Sequence, residues 1–388
     1  MVLFRKRRKG GAALQTLLVL EDGFTLKGES FSGKGEVFGE VVFNTSMTGY
    51  QEMVTDPSYR GQILNLTCPM IGNYGVNEYD SESALPQVEG LLVKEYCRQP
   101  RSWRARESLG VLLDRHGILG VEGIDTRSLT LHLRRAGTMN GALSTIERDP
   151  AVLLRRVSDF PGITDPDLVG EVTSQVAHPW TERSPEIVIP VSRRETAVIG
   201  EDLHVVVYDF GVKYSILRSL ANLGCRVTVV PCRTSAAEAL ALKPDGILLS
   251  NGPGDPVACS DVLPAIRDIL GRVPVFGICL GHQLLGMALG FSTFKLVFGH
   301  RGGNHPVREL STGKVLITSQ NHGYCLQLGE ESGDTVPTHI NMNDGTLEGL
   351  ENRGLRCFSV QYHPEAAPGP QDSTNLYEIF VDMMQNKA

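Results

Sequence analysis

The chain lacks several features that would have classified it at once. Its 388 residues hold no apolar run near the roughly 18–20 residues that a membrane span needs. Only 6% of them are aromatic, so stacking of single-stranded bases is not a theme. Basic residues are outnumbered, 37 Lys and Arg against 44 Asp and Glu, and the formal net charge is -7. A general nucleic-acid surface needs excess positive charge to neutralise phosphates, so this balance argues against one. The eight cysteines form no CxxC pair and no zinc spacing, and they are too dilute for a disulfide scaffold. That usage fits a reducing, cytoplasmic compartment. A phosphate-binding loop is missing as well. Gly28 to Lys34 (GESFSGK) fits the Gly-x4-Gly-Lys frame, but Gly35 stands where a Ser or Thr must reach magnesium. The residues that follow read as strand, whereas a phosphate loop needs a helix start.

What is present is enough for real cores: 41% of the residues are hydrophobic and 21% charged. Disorder is excluded for the bulk of the chain, and the length suggests two domains. Residues 1–16 read as a solvated basic tail, with an Arg-rich organelle address as the alternative. Residues 17–171 carry short β-type runs such as Leu17–Leu20 and Val41–Phe43, and turns at Asp56-Pro57 and Gly72-Asn73. Helical patterns at Arg127–Arg135 and Pro150–Val157 make this a mixed α and β domain. Residues 172–202, rich in Pro, Ser, Thr and charge, read as a linker with a strand at Ile187–Val191. Residues 203–388 change rhythm. Apolar runs at His204–Asp209, Arg226–Val230, Gly246–Leu249 and Val273–Gly277 alternate with helical patterns at Tyr214–Leu223, Ala236–Leu242 and Val262–Leu270. This predicts a mainly parallel sheet covered by helices on both faces, with ligands beyond the carboxyl ends of its strands.

The strongest local signal lies at one such end: Gly277-Ile278-Cys279-Leu280-Gly281-His282-Gln283. An apolar strand runs into Gly-x-Cys-x-Gly and then into a helix, the pattern of a nucleophile elbow with sulfur in place of oxygen. A helix start favours an anionic nucleophile, and it leaves the Leu280 N–H free for a developing oxyanion. A buried structural cysteine, the expected role of the other seven, explains neither flanking glycine. The thiol needs a base that is itself oriented. His363 lies at the end of a strand run in Tyr362-His363-Pro364-Glu365, so Glu365 can orient it across the proline. His282 is the competing base, but on the elbow helix its side chain should point away from the thiol. Ser250-Asn251-Gly252-Pro253-Gly254 follows another strand and reads as an oxyanion wall or an ordinary turn. The polar segments Gly299–Pro306 and Ser319–Tyr324 are turns or the lining of a pocket for a small polar substrate.

Together these segments resemble a class I, triad-type glutamine amidotransferase. Phe43 to Glu52 (FNTSMTGYQE), Thr55 to Tyr59 (TDPSY), Gly123 to Arg127 (GIDTR) and Phe298 to Pro306 (FGHRGGNHP) resemble the small subunit of carbamoyl-phosphate synthase. The resemblance runs from about Leu17 to about Met384. It implies an α/β protein: a mixed N-terminal domain, then a class I glutamine amidotransferase domain. It implies that Cys279 attacks the glutamine carboxamide to give a thioester and ammonia, with His363 moving the proton and Glu365 orienting it. Gly252 and Leu280 would offer oxyanion N–H groups. Ser46, Gly254, Gln283, Asn321, Gly323 and Tyr324 match positions that hold glutamine, Ser46 reaching in from the first domain. Ammonia would pass by an internal tunnel to a large subunit, which makes carbamoyl phosphate from bicarbonate for arginine and pyrimidine synthesis. ATP and magnesium belong to that partner, so no cofactor, metal, nucleic acid or membrane is expected on this chain. Three alternatives stand: another class I amidotransferase, a regulatory subunit with an idle triad, and a free-standing cysteine hydrolase.

Overall fold

The computed structural model describes residues 14–162, 167–184, 198–327 and 333–386. The strand expected at Ile187–Val191 and most of the expected basic tail lie outside the described residues.

Among the described residues, nine strands belong to the first domain. They are β1 (Gln15–Leu20), β2 (Thr25–Ser32), β3 (Glu36–Asn44), β4 (Gln62–Leu66), β5 (Met70–Ile71), β6 (Gly90–Leu92), β7 (Glu95–Tyr96), β8 (Leu119–Glu122) and β9 (Met139–Ser144). Seven of them close a barrel in the order β1-β2-β8-β6-β4-β3-β9, and β5 pairs with β7 beside it. The alternation of strand side chains explains the packing. Leu18 and Leu20 join one buried cluster with Phe43, Ile63 and Leu92, while Leu17 and Val19 join another with Leu153 and Val157. Those last two sit on the helix Pro150–Ser158, which Asp149 caps by accepting from the Ala151 N–H. The helix Thr126–Ala136 is capped in the same way by Asp125 and ends at Gly137.

The second sheet has ten strands among the described residues. These are β10 (His178–Trp180), β11 (His204–Asp209), β12 (Arg226–Pro231), β13 (Gly246–Leu249), β14 (Val275–Ile278), β15 (Ser292–Glu309), β16 (Val315–Gln327), β17 (Thr335–Asn341), β18 (Leu347–Asn352) and β19 (Cys357–Val360). Their order is β10-β12-β11-β13-β14-β19-β18-β17-β15-β16. The five strands from β12 to β19 in that order are mutually parallel. Antiparallel strands extend this centre on both sides. Val206 and Tyr208 of β11 face one buried cluster and Val205 and Val207 the other, so the strand is apolar along its length because both its faces are covered. The stretch 172–202 is more than a connection, since β10 lies within it and pairs with the edge of β12.

Strand order reverses about β11, with β12 on one side and β13 on the other. Loops leaving the carboxyl ends on the two sides of such a switch point diverge and open a crevice. The crevice here is bounded by Phe210–Lys213, Ser250–Gly254, Cys279 and Gln361–Glu365. The barrel closes over it. No helix among the described residues is long and apolar enough to cross a membrane.

Candidate active site

Cys279 sits between β14 and the helix Leu280–Ala288 with φ 54° and ψ -105°. A non-glycine residue rarely adopts positive φ, and surrounding structure must hold it there. The Cys279 N–H donates to the Val360 carbonyl at 2.9 Å, and the Gly281 N–H donates to Ser250 at 2.9 Å. The two flanking glycines are needed for space. A Cβ on Gly277 would lie 2.7 Å from the Gly281 carbonyl oxygen, and one on Gly281 would lie 2.1 Å from that of Leu249. Leu280 opens the helix, so its N–H has no carbonyl four residues back to donate to.

Strand β19 carries the other two catalytic candidates past its end. The His363 N–H is fixed on the Ser319 carbonyl at 2.9 Å, and its Nδ1 is 2.7 Å from Glu365 Oε1. That contact makes Nδ1 the protonated nitrogen, because a carboxylate only accepts. His363 Nε2 is buried with no hydrogen-bond partner. Burial opposes the imidazolium, but the charges of Glu365 and Cys279 outweigh it and push His363 up to about 10. The direction of the shift favours the imidazolium beside the sulfur.

Beneath this pair lies a residue that the sequence reading missed. Lys213, only 3% exposed, donates from Nζ to Glu365 Oε1 at 2.6 Å and to the Ala367 carbonyl at 2.5 Å. Burial alone would discharge the lysine, yet Glu365, Glu82 and Asp56 together raise its pKa. Burial would likewise raise Glu365, but Lys213 and His363 hold it at about 2. The positional signal was available: Lys213 follows the carboxyl end of β11, at the switch point. His282 belongs elsewhere. Its Nδ1 is 2.8 Å from Ser359 Oγ, and burial drives its pKa down to about 3, so it is neutral and faces β19.

A cavity opens above the sulfur. Of the residues expected to hold substrate, Gly252, Gly254, Gln283, Asn321, Gly323 and Tyr324 line it together with Cys279. Gln283 Nε2 is spent on the Tyr324 carbonyl (2.8 Å) and on Gln361 (3.0 Å). From the first domain, Ser58 joins this lining. Strand β3 ends at Asn44, whose side chain accepts from the Ser46 N–H at 2.7 Å. The helix Tyr50–Thr55 then delivers the Asp56–Tyr59 turn to the crevice. There Asn251 Nδ2 donates to Ser58 Oγ at 2.9 Å, and Asn321 Nδ2 donates to Asp56 Oδ2 at 3.0 Å. Glu40, Gln62 and Lys295 also line the cavity and were not foreseen, whereas Arg301 and His322 come from the segments Gly299–Pro306 and Ser319–Tyr324, which the sequence offered as a pocket lining.

Among the described residues one group brings metal-type donors within 4.8 Å of each other: His300, His322 and Glu348. Its members are already bonded within the protein. His300 meets Asp344 at 2.8 Å, His322 meets Gln320 at 2.9 Å, and Glu348 accepts from Asn341 at 2.7 Å. The cluster reads as a satisfied polar network behind the Ser319–Tyr324 segment.

A cysteine on a constrained strand-to-helix turn, a histidine oriented by a glutamate and a small polar cavity define a thiol-dependent amidotransferase site. The profile "Glutamine amidotransferase class-I" indeed matches residues 206–383, and "Carbamoyl-phosphate synthase small chain, CPSase domain" matches residues 18–143. The carbamoyl phosphate synthase small chain of Syntrophotalea carbinolica is 50% identical over 96% of this chain and 98% of its own length. That of Nitratidesulfovibrio vulgaris is 48% identical over 97% of this chain and 100% of its own. The pyrimidine-specific small chain of Bacillus subtilis is 47% identical, covering 95% of each. The chain belongs to the carbamoyl phosphate synthase small-chain family.

Proposed function

We propose that this chain is the glutamine-hydrolysing subunit of a carbamoyl-phosphate synthase. The observation that carries this reading is Cys279 on its elbow beside the His363–Glu365 pair, in a chain matching the family over nearly its full length. The sulfur attacks the carboxamide carbon of glutamine. The proton it gives up resides on His363, which passes it to the departing nitrogen, so that ammonia leaves and a γ-glutamyl thioester remains. Water, deprotonated by the now neutral imidazole, hydrolyses the thioester to glutamate and restores the thiol. The N–H groups of Leu280 and Gly252 receive the oxyanion in both steps. Glu365, kept ionised by Lys213, holds the imidazole in its orientation throughout.

Ammonia then goes to a large-subunit partner that carries ATP and magnesium and forms carbamoyl phosphate from bicarbonate. In this reading the pair works in the cytoplasm and serves arginine and pyrimidine synthesis. The test is ammonia release from glutamine by the purified chain, alone and with its large subunit, ATP and bicarbonate, with Cys279→Ser as control. Release that rises with the partner and vanishes in the variant supports the reading. A folded chain that hydrolyses no glutamine in either setting overturns it.

A further inference from the structure

The helix Tyr214–Asn222 starts on a residue poorly suited to start one. Its N-cap is Lys213, which makes no side-chain cap hydrogen bond. An ammonium has donors only, so it cannot accept from the free N–H groups of the first turn, and its charge opposes the positive end of the helix dipole. Asp, Ser or Asn would cap better. The lysine side chain is committed instead to Glu365.

The missing acceptors come from the first domain. Glu82, 1% exposed, accepts from the Ser215 N–H at 3.0 Å and from Ser215 Oγ at 2.6 Å. Its carbonyl accepts from the Tyr214 N–H at 3.0 Å. One residue thus caps the helix across the domain boundary. Burial raises the pKa of Glu82, and Lys213 and the two Ser215 donors act against that rise. Arg218, one turn along, donates to the Tyr79 and Ser81 carbonyls at 3.1 and 3.3 Å, so the same stretch of the first domain grips the helix twice. Glu82 is anchored in turn. Its N–H donates to Thr55 Oγ1 at 2.9 Å, at the end of the helix Tyr50–Thr55 that leads into the Asp56–Tyr59 turn. The barrel wall and the lysine behind the triad are therefore tied through one buried carboxylate.

We propose that Glu82 is a positioning residue for glutamine hydrolysis: from the first domain it fixes the helix start that carries Lys213, so that Lys213 holds Glu365 and Glu365 holds His363. The inference rests on the reading of the chain as a glutaminase. Glu82 is not among the residues that line the cavity, so its loss should act on kcat and leave KM little changed.

The test follows glutamine hydrolysis by the full chain in complex with its large subunit. It compares the wild type with Glu82→Ala, Glu82→Gln and Ser215→Ala, each with and without Lys213→Met. Glu82→Ala should lower kcat about 10–100-fold, the effect of misplacing groups that act on the reacting atoms, with KM within about threefold. A glutamine at this position can accept the Ser215 N–H and donate to Ser215 Oγ, so Glu82→Gln should keep kcat within about threefold of the wild type. Ser215→Ala loses one of the two side-chain contacts and should lower kcat about two- to fivefold, which carries the test where Glu82→Ala does not fold. On the Lys213→Met background none of the three should lower kcat by more than about a further twofold, because residues that act through one another are not additive. Equal losses with and without Lys213→Met would overturn the proposal by showing that Glu82 only holds the domains together. A loss carried by KM, or one as deep in Glu82→Gln as in Glu82→Ala, would overturn it as well. A wild-type complex that hydrolyses no glutamine would instead count against the glutaminase reading itself.

Discussion

The two walls of the cavity are built on different plans. On the sheet side Cys279, His363 and Glu365 stand within a few residues of two adjacent parallel strands, β14 and β19. Their positions follow from a short turn, a proline and a backbone hydrogen bond. On the barrel side Asp56 and Ser58 arrive on a turn more than 190 residues away in sequence from the groups they meet. Only the docking of one domain on the other gives them a role. The sheet side thus carries chemistry and the barrel side carries fit, and disturbing each should leave a different kinetic signature.

The largest effect belongs to the sheet side. Cys279→Ala keeps the backbone and removes the only sulfur above which the cavity opens, so thioester formation becomes impossible. Glutamine hydrolysis should fall by at least about 10³-fold, as for other nucleophile deletions. Thermal unfolding should change little, because the volume lost is small. Retention of more than a few per cent of the activity would show that the two walls share the chemistry.

Lys213 comes next because it joins both walls. It meets Glu365 on the sheet side, and Glu82 of the barrel side adds to its charge stabilisation. Lys213→Met leaves a carboxylate buried without its cation, which should cost about 3–5 kcal/mol in denaturant unfolding. The pH dependence has a definite sign. Glu365 is held at about 2, below the roughly 4.3 of an unfolded glutamate. It therefore contributes stability at pH above the unfolded value and loses it as pH falls towards 2. Without Lys213 its folded pKa rises and that contribution shrinks, so the variant should show less additional loss of stability between pH 5 and 2 than the wild type. His363 acts oppositely: raised to about 10, it stabilises fully below about 6.5 and loses that contribution as pH climbs through 10. An unaltered acid limb in the variant would mean that His363 alone holds Glu365 ionised.

Ser58 tests the barrel wall more finely, and it shows where the sequence stops being legible. The elbow at Gly277–Gly281 and the His363-Pro364-Glu365 triplet could be read directly, because each requirement is met by near neighbours in the chain. The helix caps at Asp125 and Asp149 are equally local. Lys213 looked like any loop lysine, since its partner Glu365 is 152 residues on. Ser58 lies in a polar turn, and nothing local says that the helix Tyr50–Thr55 carries it into the crevice. Arg301 sits in the Gly299–Pro306 segment, for which a turn and a pocket lining were equally open in the sequence, and the structure puts it in the lining. Ser58→Ala should raise KM for glutamine about tenfold or less, with kcat nearly constant. An unchanged KM would show that this turn takes no part in the fit.

The smallest expected effect comes from a second ion pair, beside the barrel wall and placed in water. Arg60 follows the Asp56–Tyr59 turn directly and reaches Glu171 at 2.8 Å and Glu89 at 3.4 Å. Arg60 is 37% exposed and Glu171 45%, against 3% and 0% for the Lys213–Glu365 pair. Solvent screens the outer pair and ordering two long side chains opposes it, so Arg60→Ala should cost under about 1 kcal/mol. That small loss should shrink further at high salt, where the screening length drops to about 3 Å at 1 M. The contribution of Lys213, shielded from ions, should persist there. A loss above about 2 kcal/mol in Arg60→Ala, or a KM for glutamine that rises with it, would show that the exposed link sets the position of Ser58. Docking of the barrel wall would then depend on ionic strength, and the contrast between a chemical wall and a fitting wall would have to include the surface that aligns them.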